Sequence, residues 1–229
     1  MNIPKISKRL EAAASFSQKG AVIADVGTDH AYLPIYLYTS GRISGGVASD
    51  INQGPTDRAK ANVRGWGADG AIDVIRTDGL CGIDAYDPDE IFILGMGGEL
   101  IVRILSDAPW IKNGKRLILQ PMTHAEALRE YLWSNGFEIV DETVVEEDKF
   151  YQIICAEYVG KSYLPTTAEL FFGKLNIARG GELFLRLLGY VRGVYLQRIE
   201  GKLIANADCA AEKQMIELIE GLMRGESEK

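Results

Sequence analysis

Val22-Ile23-Ala24-Asp25-Val26-Gly27-Thr28-Asp29-His30-Ala31-Tyr32-Leu33-Pro34 is a short β-branched run that breaks at a glycine and continues as an amphipathic stretch. A strand, a tight turn and a helix in that order open a βαβ unit, and ligands of doubly wound sheets bind outside the carboxyl ends of such strands. A dinucleotide fingerprint, G-x-G-x-x-G, would place glycines at 27, 29 and 32; the chain has Gly27, Asp29 and Tyr32. A carboxylate beside a pyrophosphate repels it, whereas a carboxylate beside an ammonium attracts it. The turn is therefore suited to a cationic amino-acid cofactor, S-adenosylmethionine, rather than to a phosphate-bearing one. An ordinary strand-helix turn is the blander alternative.

The same rhythm continues outward. Candidate strands cover Ala21–Ala24, Gly46–Ser49, Asp73–Arg76, Ile91–Leu94 and Arg116–Leu119, with helical patterns at Pro55–Arg64, Leu100–Leu105 and Ala125–Trp133. After Asn135-Gly136, Phe137–Val145 and Phe150–Val159 flank the charged Glu146–Lys149 turn, a hairpin signal. The expected fold is α/β: a Rossmann-like, doubly wound, mostly parallel sheet closed by a C-terminal antiparallel hairpin. That closure resembles the class I methyltransferases more than the dehydrogenases. The expected domains are residues 1–160 for the sheet and 161–229 for a linker followed by a small α-helical hairpin. Gly160–Gly181 reads as an ordered linker. Apolar residues at helical spacing, Phe184 to Tyr195 and Met215 to Met223, predict two helices broken near Asn206-Ala207-Asp208. Ile6, Leu10, Ala13 and Ala14 predict one covering helix before the sheet.

Other strand ends add candidates. Asp50, followed by Ile51, lies twenty-three positions after Gly27, where a carboxylate accepts ribose hydroxyls; a helix cap is the alternative. Asp78-Gly79-Leu80 ends the third strand, and either recognises adenine or forms a plain turn. Gly95, Gly97 and Gly98, around Met96, let backbone approach a ligand closely, and packing alone does not obviously require three glycines there.

Composition narrows the classes. No run of eighteen apolar residues spans a bilayer, and Met1-Asn2-Ile3-Pro4-Lys5 lacks the apolar run of a secretory signal, so a cytoplasmic protein without membrane attachment is expected. Cys81, Cys155 and Cys209 are odd in number and widely spaced, and only His30 and His124 supply imidazoles, so neither disulfides nor a metal site are expected. The net charge is −7. Residues 161–229 carry ten basic and nine acidic side chains, leaving the acidity in the first 160. Lys5-Lys8-Arg9 and Lys112-Lys115-Arg116 form either a path for phosphates or a solvated surface.

Asp25–Pro34, Gly95-Met96-Gly97-Gly98 and Leu119-Gln120-Pro121-Met122 together resemble the TrmK family of bacterial tRNA (adenine-22) N1-methyltransferases. The resemblance spans essentially the whole chain. It implies S-adenosylmethionine as cofactor, tRNA as acceptor, and a coiled-coil-like tail, in a monomer or weak homodimer. By position it implies a cofactor pocket lined by Asp25, Gly27, Asp29, His30, Tyr32, Leu33, Asp50, Asp78, Gly79, Gly95 and Met96, to which the neighbouring Ile51, Leu80 and Gly97 are added as candidates. Asp29 is the candidate to stabilise the cationic product, Gln120 and the Gly95-Met96 carbonyls to hold the base, and His30 to serve either as acid/base or as a turn residue. His124 is expected to serve a helix start. Arg186, Arg192, Arg198 and Lys202 do not share one helical face, so the tail binds RNA, packs or dimerises. A methyltransferase of another acceptor, or a binding module of the same fold, remains compatible with these motifs.

Overall fold

Five β-branched runs form five parallel strands: β1 (Val22–Val26), β2 (Gly45–Asp50), β3 (Ile72–Arg76), β4 (Glu90–Met96) and β5 (Arg116–Pro121). Two antiparallel strands, β6 (Phe137–Glu146) and β7 (Phe150–Tyr158), complete the sheet in the order β3-β2-β1-β4-β5-β7-β6. This computed structural model describes residues 3–225; Met1 and Asn2, which open the N-terminal stretch read above, lie outside the described residues. From β1 the chain runs one way through β2 to β3, then crosses back to place β4 on the other side of β1. The crevice of a doubly wound sheet opens at such a reversal.

Burial on both faces explains why the central strands β1, β4 and β5 read as nearly continuous apolar runs. On one face, Phe92 and Ile118 join Ala13 and Ala14 of α1 (Lys8–Ser15) and Leu33 and Leu37 of α2 (Tyr32–Thr39). Ala48 and Ile72 pack with Ile35 and with Ala59 and Val63 of α3 (Gln53–Gly65). Ile91, Ile93, Leu117 and Leu119, fully buried, point to the opposite face, since successive strand side chains alternate. There α4 (Gly98–Ser106) and α5 (Ala125–Ser134) pack on each other and on β4, β5 and β6. Ser7 caps α1 by accepting from the Leu10 N–H at 3.3 Å, a contact worth about 1 kcal/mol.

A buried ion pair ties α5 to the hairpin. The Arg129 guanidinium donates to Glu142 of β6 at 2.7 Å and to Gln152 of β7 at 2.8 Å, and both charged side chains are fully buried.

The chain divides into two compact units between Leu164 and Pro165. Among its described residues the second contains four helices: α6 (Thr167–Phe172), α7 (Lys174–Arg179), α8 (Glu182–Ile204) and α9 (Ala210–Met223). The stretch read as a linker thus holds two helices. Each has six residues, too short for a periodic signal, and Gly173 and Gly180, at φ +88° and +58°, break the pattern after each. The signal that was available is the Thr166–Glu169 capping box. α8 and α9 form the expected antiparallel hairpin: Arg192 meets Glu220, and Lys202 meets Glu212 nearer the turn, each at 2.7 Å.

Candidate active site

The carboxyl ends of β1 to β5 share one edge of the sheet. Leaving β1, the Gly27 and Thr28 N–H groups both donate to the Ser49 carbonyl of β2, at 2.8 and 2.9 Å. Gly27 has φ +79°, and a Cβ there would lie 1.9 Å from the Met96 methyl, so this loop and the one after β4 touch through the glycine. The buried Thr28 hydroxyl accepts from the Ala31 N–H at 2.9 Å and fixes the entry into α2. At the end of β2, Asp50 accepts from the Asn52 N–H at 2.7 Å. The N-cap position of α3 belongs to Asn52, so Asp50 is not its cap, and it is half-buried.

The loops after β4 and β5 are stitched together: Met122 N–H donates to Met96 O at 2.7 Å, and Gly98 N–H to Thr123 O at 2.8 Å. A Cβ on Gly98 would sit 2.1 Å from the His124 carbonyl. Packing therefore does account for one of the three glycines, contrary to the sequence expectation. His124 occupies the N-cap position of α5 in a left-handed conformation, without a side-chain cap bond.

A cavity of about 240 Å³ opens at this edge. Its wall includes Arg9 and Leu10 of α1, Asp25, Gly27 and Thr28, then Asp29, His30, Tyr32, Leu33 and Leu94. Asp25, Gly27, Asp29, His30, Tyr32 and Leu33 are thus brought together on one wall. Asp78, Gly79 and Leu80 instead line a separate cavity of about 640 Å³ with Arg103, Asp107 and Trp110. Asp50 and Ile51 stand at the neighbouring strand end, outside that first wall.

Burial pushes the Asp25 carboxyl up to about 6, partly offset by its hydrogen bond from Thr28. Asp29 behaves oppositely. Its hydrogen bond from Arg58 of α3 holds it below the ordinary carboxylate range, with His30 contributing at 3.1 Å. The His30 ring stacks on Tyr32, with centroids 5.1 Å apart and planes 13° off parallel.

Residues 6–154 match the family model for a methyltransferase domain. Over 159 residues the chain is 44% identical to the tRNA (adenine(22)-N(1))-methyltransferase of Bacillus subtilis (strain 168), covering 69% of this chain and 67% of that one. The chain belongs to this methyltransferase family. Among solved members, Streptococcus pneumoniae Sp1610, described as a candidate tRNA (m1A22) methyltransferase and solved with S-adenosyl-L-methionine, superposes at a TM-score of 0.86 with 33% identity, over 96% of this chain and all of that one. M. capricolum TrmK, solved with S-adenosyl-homocysteine, gives 0.78 with 27% identity, over 96% and 97%.

For a member of the tRNA (adenine-22-N1)-methyltransferase family, one expectation about the site needs correction and one open alternative is narrowed. Gln120 is fully buried, and its amide is occupied: Oε1 accepts from Arg9 and from the Gly95 N–H at 3.1 Å, and Nε2 donates to the Pro121 carbonyl at 2.9 Å. It braces the loops and does not present its amide to a base. The Lys112-Lys115-Arg116 cluster sits at the opposite end of β5, about 16 Å from Pro121 at ~3.3 Å per residue, beyond a Debye length of about 8 Å. Those cations are also engaged, Lys115 by Asp87, Arg116 by Glu157 and Lys112 over the Tyr158 ring. They form no phosphate path to this edge.

Sequence reading missed Arg58 and Thr28, and named Arg9 only within a basic cluster. Arg58 carries no motif, and its contact with Asp29 is tertiary. Cys81 is exposed while Cys155 and Cys209 are buried; burial drives the Cys155 thiol up to about 12, which makes it unreactive. Among the described residues no group of three or more His, Cys, Asp or Glu side chains could hold a metal, and no helix is long and apolar enough to cross a membrane.

Proposed function

We propose that this chain transfers a methyl group from S-adenosylmethionine to N1 of adenine 22 in tRNA. The observation that carries the proposal is a carboxylate-lined glycine turn at the sheet's point of reversal, in a chain 44% identical to an enzyme of that name.

The residues suit the cofactor. Gly27 gives the turn its positive φ and lets the Met96 side chain pack against it, and the buried Asp25 carboxylate, costly when charged, gains by meeting an ammonium. When bound, S-adenosylmethionine supplies an electrophilic methyl group. Asp25 would hold its amino group, Asp50 the ribose hydroxyls and the Asp78–Leu80 loop the adenine, with Ile51 and the Gly95–Gly97 backbone alongside. Neutral adenine N1 carries a lone pair and no proton, so the protein needs no general base; its task is orientation, and holding reactants within about 3–3.5 Å contributes several kcal/mol. N1 lies on the Watson–Crick edge, so the base must leave any pairing before it enters. The product base is cationic. Asp29 stays ionised under the grip of Arg58 and His30, and a fixed carboxylate at the mouth stabilises the charge that develops there. Gln120 acts at one remove, fixing the Gly95 and Pro121 backbone.

The test is to incubate the protein with radiolabelled cofactor and tRNA lacking the modification, beside the same tRNA with guanine at position 22. Label should enter only the adenine-bearing tRNA. Equal labelling of both would discard the adenine assignment, and no cofactor binding by calorimetry would leave only a binding module.

A further inference from the structure

Arg9 is a cation whose partners, all of them neutral, are accounted for. Its Nη1 donates to the Gln120 amide oxygen, and its guanidinium lies 5.3 Å from the centre of the Tyr151 ring. Among the described residues no carboxylate forms an ion pair with it. It is nonetheless partly buried, on the wall of the cavity that holds Asp25. A partly desolvated guanidinium without a counter-ion is costly, and an anionic ligand group would offset that cost.

We propose that Arg9 is a specificity residue that receives the α-carboxylate of the cofactor's amino-acid end, opposite the ammonium held by Asp25. This rests on the cofactor assigned above and deepens it. The same cavity presents one guanidinium and one buried carboxylate, the arrangement that a zwitterionic amino acid satisfies with both of its charges. An RNA phosphate fits less well, because Asp25 and Asp29 would repel it. Arginine has five donors in a planar fork, and the bond to Gln120 uses one. The donors that remain match a carboxylate in two-point geometry, which lysine cannot reproduce. The assignment also explains why an N-terminal helix outside the parallel sheet reaches its carboxyl edge: α1 delivers the one charge that the strand-end loops of this cavity do not supply.

Calorimetry with S-adenosylmethionine and with its decarboxylated analogue, on wild type, Arg9→Lys and Arg9→Met, separates the outcomes. Wild type should prefer the intact cofactor by about 10- to 100-fold, the worth of a charge-assisted hydrogen bond. Arg9→Met should bind both ligands alike, at the wild-type affinity for the analogue within about twofold, and Arg9→Lys should fall between. Equal weakening toward both ligands would reduce Arg9 to a wall of the pocket and overturn the proposal. So would unchanged cofactor preference with a raised KM for tRNA, which would make it a phosphate contact. If Arg9→Met fails to fold, the preference measured in Arg9→Lys decides between the same results. Failure of wild type to bind S-adenosylmethionine at all would instead strike the cofactor assignment.

Discussion

Replacing Asp25 by Asn should make the free protein more stable while making it bind its cofactor worse. Burial raises the carboxyl from 3.8 to about 6, so the folded chain holds this proton more tightly than the unfolded chain does. Below about pH 3.8 both states are protonated and nothing is lost; as pH climbs toward 6 the folded state must accommodate a desolvated charge, and stability falls. At 1.36 kcal/mol per pH unit the full loss is about 3 kcal/mol above pH 6. Asparagine keeps the shape and removes the charge, so Asp25→Asn should gain about 1–3 kcal/mol at pH 7.5, or about 3–10 °C in Tm, and clearly less at pH 5. Trp66, Trp110 and Trp133 all precede the division at Leu164, so tryptophan fluorescence during urea unfolding reports on the first unit alone. The same variant should lose about tenfold or more in affinity for S-adenosylmethionine, because the ammonium loses its counter-charge. A variant that is less stable at pH 7.5, or equally stabilised at pH 5 and 7.5, would refute the reasoning.

Arg129→Met removes the guanidinium from a fully buried Glu142 and should cost about 3–5 kcal/mol in urea unfolding, while Arg129→Met with Glu142→Met should recover much of the loss. Gly98→Ala drives a Cβ against the His124 carbonyl and should cost about 1–3 kcal/mol, seen as a lower Tm with unchanged secondary structure by circular dichroism. Asp50→Ala should weaken cofactor binding by about 10- to 100-fold in calorimetry while leaving Tm within a few degrees, since among the described residues its carboxylate accepts only from the Asn52 N–H. Asp29→Asn should slow methyl transfer about tenfold in single-turnover assays with cofactor affinity little changed; a normal rate would remove Asp29 from the charge-stabilising role.

The sheet was legible because its central strands are buried on both faces, which writes β1, β4 and β5 as short, nearly unbroken apolar runs that end at glycine, proline or a polar loop. Gly27 and Asp25 could be located for the same reason: they follow directly from where β1 stops. The helices α6 and α7 were not legible, being shorter than two turns and separated by glycines that read as loop. Nor was the role of Gln120, since one glutamine after a strand looks alike whether its amide is free or occupied; three partners, one from residue 9, decide it. The Lys112–Arg116 cluster stayed open between two readings because sequence shows charge density but not the end of a strand on which it falls. Arg58 left no trace, because residues 29 positions apart in the chain meet only once α3 has packed.

The bond between Arg9 and Gln120 also sets an order of assembly. Its partners are 111 residues apart, and the chain between them contains every other parallel strand. During synthesis the glycine turn emerges early, but α1 can find its seat only after the fifth strand has joined the sheet, so the pocket is completed late. Because α1 also packs on β6 and β7, with Arg9 over the Tyr151 ring, small-molecule binding by a growing chain would begin abruptly only once the hairpin through Tyr158 has joined, rather than accumulate strand by strand.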